Sequence, residues 1–223
     1  MLWVGQFGIT DGEAREKTPW LGAFPGSGPS DEPSDLYLIV EPATEGSEEF
    51  CEELKEAISE VFHNDRLSLT GGLLRALKAA HENLREWNRR SLKDRRVAAG
   101  VSCLASRGDI GEAYLAQVAP ASAAHYRKGE LFALEPSLPD ASEPLGLYDE
   151  FWPQFSRFEL EDGDRLLLLS PRLAQAIPAE GLTDALAAPH EEALQALYRH
   201  ARPLTNCAAL LVAVLPDPTA PAT

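Results

Sequence analysis

The side chains here best suited to nucleophilic, acid–base or metal chemistry are five histidines, three cysteines and one serine that ends an apolar run. His63, His81, His125, His190 and His200 share no i, i+3 or i+4 spacing with one another, the spacing by which a helix offers two imidazoles to one metal. Capping or solvent-exposed roles are expected of them. Cys51, Cys103 and Cys207 are odd in number, far apart and each set in an apolar stretch, with no Cys-x-x-Cys or Cys/His spacing for zinc. They read as buried reduced thiols. Ser170 follows an apolar run, but Leu169-Ser170-Pro171 lacks the glycines of a nucleophile elbow. Gly5-Gln6-Phe7-Gly8 and Gly71-Gly72 match neither pattern that cradles phosphate. The basic cluster Arg89, Arg90, Lys93, Arg95 and Arg96 admits two readings. It complements the dipole of a helix C-terminus, or it forms a docking patch for an acidic or phosphorylated partner segment. Trp3, Trp20, Trp87 and Trp152 read as core or loop anchors. Trp20 and Trp152 fall in Pro-rich stretches, where an exposed aromatic marks a contact surface.

The elements that must position these residues come from a chain of 223 residues, enough for one sizeable domain or two small ones. Lys+Arg 20 against Asp+Glu 35 gives a net charge of −15, which excludes nucleic acid and anionic membranes as partners, since both are gripped by clustered positive charge. No basic segment followed by an apolar run opens the chain, and the longest apolar run, Cys207 to Leu215, is far shorter than the ~20 residues of a membrane-spanning helix. A cytoplasmic protein is expected. Hydrophobic periodicity predicts strands over Leu2–Thr10, Leu36–Val40, Val97–Ala105, Glu112–Ala119, Ser122–Arg127, Glu130–Leu134, Leu166–Ser170 and Asn206–Leu215. Helices are predicted over Phe50–Phe62 and Leu73–Trp87, the second capped by Ser68 or Thr70, with shorter ones near Leu173–Ile177, from Thr183 and over His190–Arg202. The middle strands, with turns at Arg107-Gly108-Asp109 and Lys128-Gly129, read as an antiparallel meander. Thr18–Pro33 and Pro136–Pro153 read as loops and Asp217–Thr223 as a tail. Segregated helices and antiparallel strands define an α+β class.

Several motifs in this order resemble the metal-dependent protein phosphatases, the type 2C (PPM) serine/threonine family. Gly12-Glu13-Ala14-Arg15 is similar to its Gly-x-x-Arg, Leu38-Ile39-Val40-Glu41-Pro42 to its apolar run before Ala-Asp-Gly, and Gly100-Val101-Ser102 to its Gly-Thr-Thr. The fullest match runs from Phe158 to Leu173, against x-Leu-x-x-Gly-Asp-x-Leu-Leu-Leu-x-Ser-Asp-Gly-Leu. Thr205-Asn206 before an apolar strand stands for the terminal Asp-Asn. The resemblance covers residues 1–215 as a single domain, leaving 216–223 as a Pro/Ala-rich tail. It implies a four-layer α-β-β-α sandwich of two antiparallel sheets flanked by helices, with two divalent cations held between the sheets by aspartates at strand ends.

The departures concern those aspartates. By the resemblance, the family's acids fall at Trp20, Glu41, Pro171 and Thr205, while its accompanying residues fall at Pro42, Arg172 and Asn206. The Gly-Asp-Ser-Arg turn becomes Ala119-Pro120-Ala121-Ser122, also without its acid. Two hard cations held close together need several carboxylates to offset four positive charges, and one glutamate remains. The expectation is a pseudophosphatase: a binding or regulatory module in Ser/Thr phosphorylation signalling, without cofactor, acting on a kinase or phosphoprotein. The alternatives are a divergent phosphatase using Mg²⁺ or Mn²⁺ at a reduced site, and a structural subunit whose old cleft serves assembly. With Pro171, Trp20, Ala119 and Pro120 brought to one place, the vestigial cleft is expected to be closed rather than polar, packing dry or admitting a protein segment.

Overall fold

The structure, a computed structural model, describes residues 1–15, 18–26, 33–64, 67–92, 95–107, 111–135 and 143–216. In chain order the elements are β1 (Leu2–Thr10), β2 (Glu13–Arg15), β3 (Leu21–Phe24), β4 (Asp35–Pro42), α1 (Cys51–Asn64), α2 (Leu69–Arg90), β5 (Ala99–Arg107), β6 (Glu112–Val118), β7 (Ser122–Arg127), β8 (Glu130–Leu134), β9 (Gln154–Glu159), β10 (Arg165–Leu169), α3 (Pro171–Ala176), α4 (Ala179–Ala187), α5 (His190–Ala201) and β11 (Cys207–Val214). One sheet runs β2-β1-β11-β10-β7-β8 and the other β3-β4-β5-β6-β9, every pairing antiparallel.

The apolar runs of β10 and β11 show why this becomes four layers. A strand turns alternate side chains to opposite faces, so a continuous apolar run must be covered on both. Leu166, Leu168, Leu210 and Val212 enter the core between the sheets, with Leu21, Ile39, Leu104 and Leu115. Leu167, Leu169, Ala209 and Leu211 point the other way, onto Leu173, Leu186 and Leu197 of α3, α4 and α5. On the far side, α1 packs over β3 and β4 and α2 over β5 and β6, through Ile58, Leu73 and Leu77. Ser68 is the cap of α2, its hydroxyl accepting from Gly71 N–H at 3.2 Å. The two sheets flanked by helices are therefore as read from the sequence.

Three expectations need correction. The middle strands are not one meander: β5 and β6 pair in one sheet, then the chain crosses, and β7 and β8 pair in the other. The Lys128-Gly129 hairpin is present, with positive φ at both residues (52° and 89°), whereas Gly108 and Asp109 lie outside the described residues. The stretch read as a loop from Thr18 contains β3, and a further edge strand, β9, follows Pro153. Neither has the period of a strand that would fold alone; β3 exists because β4 supplies its partner, Leu21 opposite Ile39. The C-terminal stretch 217–223 lies outside the described residues, and no helix among them is long and apolar enough to cross a membrane.

Candidate functional site

Strand ends from both sheets meet at one edge of the sandwich. Antiparallel registers put the start of β3, the end of β4, the end of β10 and the start of β11 at the same end. Around them opens a cleft of about 410 Å³ lined by Trp20, Glu41, Pro42, Pro120, Pro171, Arg172, Asn206 and Cys207, and by the loop after β4 through Thr44, Glu45 and Glu48. Six of the seven sequence-derived positions thus face one space. Thr205 does not line it: its carbonyl accepts from Gly12 N–H at 2.8 Å. Arg15 pairs with Glu13 at 3.2 Å on the exposed β2 and also lies outside the lining.

The expected closure does not occur. The prolines line the cleft rather than fill it, and carboxylates, a guanidinium and an amide remain in its wall, so it is open and half polar. Trp20 is only 5 % exposed, not a free contact aromatic: its side chain packs into the main core, and Val40 N–H donates to Trp20 O at 2.8 Å just before β3. Its indole N–H is buried without an acceptor. Asn206 Oδ1 accepts from Asp11 N–H at 2.9 Å, fixing the hairpin beside the cleft. Ser170, in the position of a nucleophile, instead joins strands: Ala208 N–H donates to its hydroxyl at 3.2 Å. The loop carrying Glu45 and Glu48 is pinned by Thr44 Oγ1, which lies 2.7 Å from Ser47 Oγ and donates to Arg96 O at 2.9 Å.

Glu41 dominates the electrostatics. Its Oε1 is sealed from solvent with no hydrogen-bond partner. Burial pushes its carboxyl up from 4.5 to about 8, and the Arg172 guanidinium opposes this only in part. The acid is therefore mainly protonated at neutral pH. Burial, with Glu41 and Glu48 nearby, pushes the Cys51 thiol up to about 12, and burial with Glu41 pushes Cys207 up to about 11. Both are inert as nucleophiles at neutral pH. All three cysteines are free and buried, as their apolar settings indicated.

This donor set does not fit a pair of hard cations. Mg²⁺ and Mn²⁺ pairs need several carboxylate oxygens, and of the sequence-derived positions lining the cleft Glu41 alone is an acid, set among Arg172, Pro42, Pro171 and Trp20. Among the described residues no three His, Cys, Asp or Glu side chains converge as metal ligands. Glu45 and Glu48, which sequence reasoning did not place, line the rim; their one signal was following directly on the β4 motif.

Elsewhere the histidines correct their expected roles. His81 is 3 % and His125 7 % exposed. His81 stacks on Phe151, and its Nδ1 accepts from Gly146 N–H at 3.2 Å. Asn88 completes this clamp on the segment around Gly146, donating to Val97 O and Gly146 O and accepting from Val97 N–H, each at 2.8 Å. His125 lies 3.6 Å from Asp164, which is 1 % exposed and also bound by Arg127. In the basic cluster, Arg89 and Arg90 close on Glu86 at 3.3 and 2.6 Å, Arg95 and Arg96 are exposed, and Lys93 lies outside the described residues. Trp152 is 58 % exposed and Trp87 packs edge-on against Phe50.

No protein-family model matches the chain, and no curated protein matches its sequence. Solved structures do match its fold. The serine/threonine phosphatase of S. agalactiae aligns at TM-score 0.75 and 15 % identity, over 96 % of this chain and 100 % of that one. The Mycobacterium tuberculosis serine/threonine phosphatase PstP/Ppp aligns at TM-score 0.73 and 17 % identity, over 96 % and 99 %. PppA, described as a key regulatory component of T6SS in Pseudomonas aeruginosa, aligns at TM-score 0.72 and 15 % identity, over 95 % and 97 %. A PstP catalytic domain has been solved in complex with two manganese ions. The chain has the fold of the PPM-type serine/threonine phosphatases over 96 % of its length.

Proposed function

We propose that the chain is a catalytically silent phosphatase-fold module that binds a protein partner, a kinase or phosphoprotein, in cytoplasmic Ser/Thr phosphorylation signalling. The observation carrying this reading is the cleft's donor set: of the sequence-derived positions that line it, Glu41 alone is an acid, beside Arg172, Pro171 and Trp20, where two-metal chemistry needs several carboxylates. That one relative by fold, PppA, is described as regulatory is consistent with a regulatory role for this architecture. The cleft, kept open at about 410 Å³ after losing the acids, offers the binding surface. Calorimetric titration with Mn²⁺ and hydrolysis of para-nitrophenyl phosphate test the reading together. Background turnover and no two-site binding are expected; two micromolar Mn²⁺ sites or metal-dependent turnover overturn it.

One observation favours a second reading, a divergent phosphatase with a reduced Mg²⁺ or Mn²⁺ site. Glu45 and Glu48 bring two further carboxylates to the cleft that holds Glu41. The same titration separates the two, since a single Mn²⁺ site abolished by Glu48→Gln belongs to the second reading alone.

A further inference from the structure

Away from the cleft, α1 and α2 run antiparallel on the outside of one sheet. Phe50, just before α1, packs edge-on against Trp87 near the end of α2, with ring centroids 4.7 Å apart, while Phe62 meets Gly72 at the other end. Beside the aromatic pair the seam holds a groove of about 90 Å³ over Leu54, Ala57 and Leu84, with Glu53 at its rim. Trp87 stays 39 % exposed there. Glu49, Glu52 and Glu53 crowd the start of α1 and Arg89 and Arg90 the end of α2, each sign complementing its own helix dipole. All five are exposed. Among the described residues no ion pair joins the two helices: both arginines turn to Glu86, and the three glutamates have no cationic partner. We propose that this seam is a two-fold interface between two copies of this chain. The proposal goes beyond the partner-binding reading of the cleft and does not rest on it.

Charge complementarity names the occupant. A two-fold contact needs a patch complementary to itself, and acid on one bank of an apolar groove with base on the other is such a patch. A two-fold axis along the seam lays α1 of each copy over α2 of the other. Glu49 and Glu53 then meet Arg89 and Arg90 of the partner copy, and each Trp87 closes over the groove it faces. A segment of one charge sign would be repelled by one of the two banks. Exposed ion pairs are worth little, so the aromatic and aliphatic contact carries the affinity and the charges fix the register. Two chains of net charge −15 repel at long range. At about 0.15 M salt the Debye length is about 8 Å, which screens that repulsion while contact pairs across the seam persist. Glu48 lines the cleft and Phe50 the seam, so both clefts of the dimer open at the same end.

The test is sedimentation velocity of the full chain at about 0.15 M salt, with the Trp87 indole N–H signal followed by NMR and assigned through Trp87→Phe. For so small a seam a weak dimer is expected, half-formed near about 100 μM, with the Trp87 signal shifting as concentration rises. Two charge-reversed proteins, Glu49→Arg/Glu53→Arg and Arg89→Glu/Arg90→Glu, should each be folded by circular dichroism and monomeric at that concentration, because each has banks of one sign. Mixed one to one, they should dimerise again, since each supplies the sign the other lacks. A chain that stays monomeric up to about 1 mM overturns the proposal and leaves the seam to a different protein. So does a dimer that either variant retains, or a mixture of the two that stays monomeric. A parent dimer that leaves the Trp87 signal unshifted overturns it without recourse to the variants.

Discussion

Replacing Glu41 by glutamine should change the pH dependence of stability more than stability itself. Glu41 titrates near 8 in the folded chain against 4.5 for an ordinary glutamate. Between those values the folded protein keeps a proton that the unfolded chain has released. Stability therefore falls as pH rises through this window, and the full penalty stands above pH 8. At about 1.4 kcal/mol per pH unit, a gap of about 3.5 units sets a ceiling near 5 kcal/mol. The carboxyl borders an open cleft, where water and local relaxation can ease the ionised form, so about 2 kcal/mol is the expected size; the relief from Arg172 is already contained in the shift. Glutamine has nearly the same shape and no charge to bury. Urea denaturation of both proteins from pH 5 to 9 should show the variant equal to the parent near pH 5 and about 2 kcal/mol more stable at pH 9. The −15 background charge is nearly common to both and drops out of the difference. A difference that does not vary with pH, or a variant relatively weaker at pH 9 than at pH 5, refutes the account of Glu41 as a buried, protonated acid.

Other parts of the fold make separate predictions. Asn88→Ala removes three buried hydrogen bonds that clamp Val97 and Gly146 to α2, and should cost about 3 kcal/mol in urea denaturation, with faster hydrogen exchange at the Val97 amide. Burial pushes the Asp164 carboxyl up, but hydrogen bonds and charge from Arg127 outweigh it and hold it below the ordinary range. Its stabilisation is therefore present at neutral pH and lost on acidification; Arg127→Met should cost about 3 kcal/mol at pH 7 and move acid unfolding, followed by circular dichroism, to higher pH. Gly100→Ala would drive a Cβ to 2.3 Å from Pro120 N, backbone that no rotamer change can move, and should destabilise by about 2–4 kcal/mol in thermal melts.

The alternation and apolar runs of the sequence were enough to place most strands, both long helices and the α+β class, because burial pattern is a local property that each segment carries in its own residues. The same reading located Trp20, Glu41, Pro42, Pro171, Arg172 and Asn206, which do come together, since strand ends at one edge of a sandwich are neighbours by topology. Pairing is not local. Nothing between β6 and β7 announces that the chain changes sheets there, and β3 and β9 exist only through β4 and β6. The exposure of a loop aromatic or a histidine was equally out of reach. Trp20 is buried because it packs into a core built from both sheets, and His81 because the segment of Gly146 and Phe151 folds over it from far along the chain. Whether the cleft stayed open, and whether Glu41 keeps its proton, depended on groups contributed by β3, β4, β10, α3 and β11 at once. Residue types named the acids that were missing; only the tertiary structure could sum the desolvation and charge around the one that remained.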